Sequence, residues 1–107
     1  MSAQKSVFLC NASDLAPGEV RRIEHPDGPA IAVYNVDGAF FATDDNCTHG
    51  LSSLAEGTLD GDIIECDAHF GCFNVKTGKA TEAPCTIDLR TYAVEVRGDD
   101  VFAILPG

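Results

Sequence analysis

Two Cys–His pairs constrain the fold of this chain more than any other feature of its sequence. Cys47-Thr48-His49 is followed, after a spacer of sixteen residues, by Cys66-Asp67-Ala68-His69. The one or two residues inside each pair let a loop tip direct both side chains into the same small volume. The spacer is long enough to form a hairpin that brings the two tips together. The sequence therefore predicts a site with four potential metal ligands, built from two loops.

The acidic composition limits the classes of partner that the chain can bind. Seven Lys and Arg against seventeen Asp and Glu give a net charge of −10 in 107 residues, and no Lys or Arg lies between Arg22 and Lys76. Such a surface repels phosphate groups, which argues against nucleic acids and anionic membranes and favours a basic protein partner. No apolar run approaches the roughly 18–20 residues of a membrane span. We therefore expect a cytoplasmic chain that binds neither membrane nor nucleic acid.

Short segments rich in β-branched and aromatic residues alternate with Gly, Pro and Asp, which is typical of an antiparallel all-β domain. The candidate strands are 6–10, 19–24, 30–36, 39–43, 63–65, 73–75, 91–96 and 101–105. Val36-Asp37-Gly38-Ala39 predicts a tight hairpin, because Asp-Gly supplies the positive φ values of a primed turn, and Arg97-Gly98-Asp99-Asp100 predicts a second. Residues 13–16 predict one helical turn capped by Ser13 or Asp14.

The chain changes character between Asp44 and Pro84, where Cys, His, Gly and acidic residues concentrate and regular alternation weakens. A length of 107 residues fits a single domain. We expect a base formed by residues of about 1–44 and 86–107, with a lobe of about 45–85 inserted at one end.

The ligand types leave two kinds of metal site open. Zinc in a two-Cys, two-His tetrahedron usually takes like ligands from one loop, whereas each loop here offers one of each. A binuclear iron–sulfur cluster with two thiolates on one iron and two imidazoles on the other fits this pairing. The remaining candidates, Cys10, His25, Cys72 and Cys85, are interpreted as structural packing residues.

At these residues the sequence resembles the Rieske family, whose ligand pattern is Cys-x-His, a long spacer and Cys-x-x-His. Within the family it is most similar to the small Rieske ferredoxins of multicomponent aromatic-ring-hydroxylating dioxygenases, over segments that include 42–50, 59–66 and 71–80. The resemblance implies an all-β fold: an antiparallel Rieske-type sandwich or partly open barrel as the base, with an inserted loop-rich cluster-binding lobe.

The resemblance also implies the cofactor and its ligands. One Rieske-type 2Fe-2S cluster would take Cys47 and Cys66 on one iron and His49 and His69 on the other, with Pro84 in a loop that shields it. The sequence departs from the family at Asp67, where Pro is usual, and at Phe70, where a polar residue is usual. Both positions flank His69, so they bear on partner recognition more than on cluster assembly.

The implied function is electron transfer without catalysis by this chain. The protein would pass single electrons from an NAD(P)H-dependent flavoprotein ferredoxin reductase to a terminal aromatic-ring-hydroxylating Rieske oxygenase, as a monomer that docks transiently. It has no Gly-rich phosphate-binding loop and no room for a mononuclear-iron domain. Two alternatives stay open: the Rieske-type small subunit of an assimilatory nitrite reductase, and a zinc-stabilised interaction domain.

Overall fold

Antiparallel strands make up most of the regular structure of the chain. A computed structural model describes residues 5–48, 52–67, 70–83 and 87–105. Within these ranges the strands are β1 (Lys5–Asn11), β2 (Val20–Ile23), β3 (Ile31–Val36), β4 (Ala39–Asp44), β5 (Thr58–Asp60), β6 (Ile63–Glu65), β7 (Cys72–Asn74), β8 (Ala80–Glu82), β9 (Thr91–Arg97) and β10 (Asp100–Leu105). Two short 3-10 helices cover Ala12–Asp14 and Leu54–Glu56. No helix among the described residues has the length and apolar character needed to cross a membrane.

Six strands form one antiparallel sheet in the order β1-β10-β9-β4-β3-β2. The β3–β4 hairpin turns at Asp37 and Gly38, whose φ angles are 52° and 93°. The β9–β10 hairpin turns at Gly98 and Asp99, with a φ of 61° at Gly98. Both turns predicted from Asp-Gly and Gly-Asp are therefore confirmed.

The other four strands form a second antiparallel sheet, β5-β6-β7-β8, from residues that lie between β4 and β9 along the chain. The two sheets confirm the predicted all-β antiparallel architecture. The boundaries of a base at about 1–44 and 86–107 and a lobe at about 45–85 stay a prediction.

Strand β3 supports two hydrophobic cores, because successive side chains of a strand point to opposite faces. Ile31 and Val33 face the base core, which consists of Val7, Leu9, Cys10, Leu15, Ile31, Val33, Ala42, Tyr92, Val101 and Ala103. The alternate residues of β3 face the site core, which consists of Ala32, Tyr34, Val36, Cys47, Leu54, Ile64, Cys66, Phe73, Val75 and Leu89. Both cysteines of the predicted site therefore pack in a core that β3 completes.

The structure departs from the sequence prediction in three short segments. Strands β5 and β8 were not predicted, because each has three residues with little apolar alternation. The first helical turn is capped differently from the prediction: it follows Asn11, and Ser13 instead donates from N–H and Oγ to the Asp99 carboxylate, at 2.9 and 2.8 Å.

Candidate metal centre

The first candidate ligand loop begins where β4 ends. Asn46 forms an isolated antiparallel bridge with Ser53, and the Cys47 N–H donates to the Ser52 carbonyl at 2.8 Å. The Leu54 N–H donates to the Asp45 carbonyl at 2.8 Å. The described arms of this loop, residues 45–48 and 52–54, therefore run antiparallel, with Cys47 on the outgoing arm.

The second candidate loop begins where β6 ends. The Cys66 N–H donates to the Gly71 carbonyl at 2.8 Å, and the Phe70 N–H donates to the Cys66 carbonyl at 2.9 Å. Strand β7 begins at Cys72, directly after this closure. Two backbone hydrogen bonds thus fix the turn that Cys66 opens.

The two loops present their cysteines in equivalent ways. In each, the cysteine N–H bonds to the carbonyl five residues further on, and in each the cysteine is 1% exposed. Cys47 and Cys66 pack in the same site core, so one set of apolar side chains shields both from water. Two soft sulfur ligands with an apolar shell suit an iron–sulfur cluster, whose potential depends on such a shell.

The histidine half of the predicted site is not among the residues that the structure describes. His49, His69, Pro84 and Cys85 lie outside the described residues. Among the described residues, no group of three or more His, Cys, Asp or Glu side chains converges on a common point. The described part of the candidate centre is therefore its cysteine half.

A third segment of the chain is attached to the first loop. Thr48, between Cys47 and His49, donates from Oγ1 to the Ile87 carbonyl at 2.7 Å. The Ile87 side chain is 65% exposed, and so is that of Phe70 on the second loop. Large apolar side chains thus reach solvent on segments that adjoin both cysteine loops.

Consecutive carboxylates fix the end of β4 on two sides. Asp44 accepts a hydrogen bond from the Tyr92 hydroxyl and lies 3.9 Å from Arg90 Nε. The Asp45 side chain is 3% exposed, and its carboxylate lies 3.4 Å from Arg22 Nε. Sequence reasoning counted both residues only as part of an anionic stretch. No sequence signal distinguishes them, because the burial of Asp45 depends on the packing of β2 beside the first loop.

The Tyr92–Asp44 contact predicts a change of stability at alkaline pH. Burial raises the pKa of the Tyr92 phenol from its ordinary value of 10.0 to about 12, and the hydrogen bond to Asp44 adds to the rise. A raised folded-state pKa gives stability that is fully present below the unfolded value and is lost as pH climbs through the folded one. Between about pH 10 and 12, the free energy of unfolding should therefore fall by up to about 1.4 kcal/mol per pH unit through this group.

Urea unfolding of the wild type and of Tyr92→Phe across this alkaline range measures the effect. We expect a shallower decline in Tyr92→Phe, because the variant cannot lose the phenolic proton. Identical slopes would show that Tyr92 titrates normally in the folded chain.

The other cysteine and histidine candidates have structural surroundings. Cys10 is 4% exposed in the base core and Cys72 is 9% exposed, and burial raises the pKa of both thiols. His25 is half-buried and holds a turn: its Nε2 lies 3.0 Å from the Pro29 carbonyl, and its Nδ1 accepts the Asp27 N–H at 3.2 Å. For Cys10 and Cys72 the predicted packing role is consistent with this burial.

Solved structures with this fold include ferredoxins and a more distant protein. A chain in the complex of reduced oxygenase and oxidised ferredoxin of carbazole 1,9a-dioxygenase is 48% identical, with a TM-score of 0.89 over 92% of this chain and 91% of that one. The ferredoxin of Sphingomonas yanoikuyae B1 is 41% identical, with a TM-score of 0.90 over 95% and 100%. A protein assigned as a nitrite reductase small subunit from Mycobacterium tuberculosis shares the fold alone, with a TM-score of 0.87 and 15% identity.

Sequence comparison assigns the family. The Rieske [2Fe-2S] domain matches residues 5–93. Ferredoxin CarAc of Metapseudomonas resinovorans is 50% identical over 94 residues, which are 88% of each chain. The ferredoxin component of the p-cumate 2,3-dioxygenase system of Pseudomonas putida is also 50% identical, over 90% of this chain and 82% of its own. The chain therefore belongs to the Rieske [2Fe-2S] family and, within it, groups with the ferredoxin components of dioxygenase systems.

Proposed function

We propose that this chain is an electron-transfer ferredoxin that carries single electrons to a terminal aromatic-ring-hydroxylating oxygenase. One Rieske-type 2Fe-2S cluster is held by Cys47 and Cys66 on the inner iron and by His49 and His69 on the outer iron. The observation that carries the proposal is the burial of both cysteines, on equivalently closed loops, in one core. Relatives of about half identical sequence are named as ferredoxin components of dioxygenase systems, which supports a carrier and not a catalyst.

Each part of the chain has a definite task in this function. A bound Rieske cluster accepts and releases one electron at a time, at potentials of roughly −150 to +300 mV. The site core excludes water from the two cysteines, and the hydrogen bonds at Ser52 and Gly71 fix the backbone that carries them. As ligands of the outer iron, His49 and His69 would give an electron a short path to a docked partner.

The partners follow from the same proposal. A flavoprotein ferredoxin reductase that oxidises NAD(P)H supplies the electrons, because this chain has no phosphate-binding Gly-rich loop of its own. A terminal oxygenase receives them, as the solved complex of a related ferredoxin with its oxygenase suggests. We place the protein in the cytoplasm as a monomer that docks transiently, since turnover requires a small interface that releases quickly.

Phe70 is the residue we expect the oxygenase to contact. Its ring is 65% exposed although its backbone has a φ of 62°, a conformation that bulky side chains rarely adopt. Strained, exposed residues of this kind concentrate at functional surfaces. The Phe70 N–H bonds to the Cys66 carbonyl, so the backbone that carries the ring is fixed to the second cysteine loop.

Replacement of Phe70 by asparagine should separate stability from docking. Asn tolerates positive φ, so we expect the variant to be as stable as the wild type or more stable, by about 1 kcal/mol. Loss of an exposed aromatic anchor should weaken binding to the oxygenase about tenfold. Stopped-flow electron transfer from the reduced ferredoxin to the oxygenase, over a range of oxygenase concentrations, measures this.

The matched control is Phe8→Asn, because Phe8 is 50% exposed on β1 of the six-stranded sheet, where its ring contacts Phe102. Electron transfer should be unchanged in this control. If both variants slow electron transfer equally, Phe70 has no special place in docking.

The test of the proposed function is a visible and EPR spectrum of the purified protein before and after dithionite, with iron and sulfide assays on the same sample. We expect equal iron and sulfide and a Rieske-type signal after reduction. Colourless protein that holds zinc after anaerobic preparation would support the zinc-stabilised interaction domain instead. Reconstitution with reductase and oxygenase components, against a sirohaem nitrite reductase subunit, distinguishes the dioxygenase system from the nitrite reductase alternative.

A further inference from the structure

The first cysteine loop rests on a buried carboxylate. Asp45 follows β4, and its side chain is 3% exposed. Its Oδ1 accepts the Ala55 N–H at 3.0 Å, and its backbone carbonyl accepts the Leu54 N–H at 2.8 Å. Its own N–H donates to the Ala30 carbonyl at 2.9 Å. Asp45 therefore joins the arm that leads to Cys47 with the arm that returns from it.

Arg22 offsets the charge of this carboxylate from the solvent side. Its Nε lies 3.4 Å from Asp45 Oδ2, and its side chain is 50% exposed. A cavity of about 220 Å³ opens beside the pair, lined by Arg22, Ala30, Asp45, Asn46, Ser52 and Ser53. Arg22 also lies 3.5 Å from Glu24, but Glu24 is 79% exposed and water screens that contact. The charge that the guanidinium offsets most effectively is therefore the buried one.

The field of Asp45 reaches the site core. Tyr34 is fully buried there, in the same core as Cys47 and Cys66. Burial raises the pKa of its phenol, and the Asp45 carboxylate adds to that rise, although the hydrogen bond between the Tyr34 and Thr43 hydroxyls opposes it. The Tyr34 and Thr43 hydroxyls lie 2.8 Å apart, and Thr43 precedes Asp45 by two residues in the sequence. The charge of Asp45 therefore acts on at least one buried side chain of the site core.

We propose that Asp45 and Arg22 are a positioning pair for the cluster. Asp45 fixes both arms of the Cys47 loop, and Arg22 offsets the negative charge that Asp45 brings to this loop. The inference rests on the proposed function, because it concerns the reduction of a bound cluster. A bare buried carboxylate disfavours the addition of an electron nearby. The Arg22 guanidinium therefore keeps the cluster easier to reduce.

The decisive experiment compares two neighbouring arginines on β2. Arg21 is exposed, and its Nη2 donates to the Asp14 carbonyl at 3.0 Å, away from Asp45. Arg22→Gln and Arg21→Gln remove the same formal charge from adjacent positions. In EPR-monitored redox titrations of the holoproteins, we expect a more negative midpoint potential in Arg22→Gln and a smaller negative shift in Arg21→Gln. Arg22→Lys, which keeps the charge, should stay near the wild type.

Equal shifts in Arg22→Gln and Arg21→Gln would overturn the inference, because the pair would then act like any surface charge. So would a shift in Arg22→Lys as large as that in Arg22→Gln. A preparation of the wild type without any cluster contradicts the proposed function instead, so the two failures are distinguishable.

Two substitutions at Asp45 separate charge from position. Asp45→Asn keeps an oxygen for the Ala55 N–H and removes the charge, so the potential should shift positive. In the Asp45→Asn background, Arg22→Gln should shift the potential less than it does in the wild type, because the guanidinium has lost the carboxylate that holds it. Asp45→Ala removes the acceptor, so hydrogen exchange of the Ala55 amide should become faster than in Asp45→Asn. Additive potentials in the double variant, or equal exchange in the two Asp45 variants, would contradict the pairing.

Discussion

Replacement of Cys66 by serine is expected to abolish the cluster completely. A serine hydroxyl stays protonated at neutral pH and is a hard oxygen donor, whereas the iron of such a cluster requires a soft thiolate. Cys66 is 1% exposed, so no thiol from solvent can replace it. The purified variant should lack the visible absorption and the reduced EPR signal of the wild type, with iron and sulfide near zero.

Cys72→Ser is the matched control, since it makes the same chemical change six residues away. Cys72 is 9% exposed at the start of β7, and its Sγ lies 3.8 Å from the Phe70 carbonyl. Burial, with the charges of Glu65 and Glu82, raises the pKa of its thiol and so disfavours the thiolate form. This variant should keep its full iron and sulfide. A colourless Cys72→Ser beside a brown Cys66→Ser would show that the ligands are wrongly assigned.

Loss of the cluster should also weaken the site core more than the base core. Binding free energy for a metal group becomes folding free energy when the unfolded chain has no site for it. Cys47 and Cys66 are site-core residues, whereas the base core contains neither. Hydrogen exchange in Cys66→Ser should therefore increase first in β5 to β8 and only later in β1 and β10.

The sequence was informative wherever a local pattern carries the physical cause. The spacing of the two Cys–His pairs predicted a site built from two loops. Cys47 and Cys66 share one core, and the full set of four ligands stays a prediction. Asp37-Gly38 predicted a primed turn because glycine and aspartate tolerate positive φ, and the turn is there. Residues 30–34 form a continuous apolar run, and strand β3, which contains most of it, is buried on both faces.

What sequence reasoning missed depends on pairing between distant segments. Strands β5 and β8 are too short to show a period, and they exist because β6 and β7 offer free edges to pair with. The Arg22–Asp45 pair joins residues that no motif connects, and only the packing of β2 beside the first loop brings them together. A count of charges cannot distinguish Asp45, which is buried, from the exposed acids around it.

Gly78→Ala should be among the most destabilising single-methyl additions in the chain. Gly78 has a φ of 79°, and its carbonyl accepts the Leu89 N–H at 2.7 Å, which ties the β7–β8 turn to the site core. A Cβ there would meet the Leu89 carbonyl and, at 3.0 Å, the Thr91 Cγ2. Gly98→Ala is the control, because Gly98 also has a positive φ but nothing lies within 4 Å of an added Cβ.

In urea unfolding we expect Gly98→Ala to lose about 1–2 kcal/mol of unfolding free energy from the backbone alone. Gly78→Ala should lose about 1–3 kcal/mol more, because its methyl group must displace a backbone. It should also release its iron at lower urea, since Leu89 packs in the core around the cysteines. Equal losses in the two variants would mean that the β7–β8 turn does not approach Leu89 so closely.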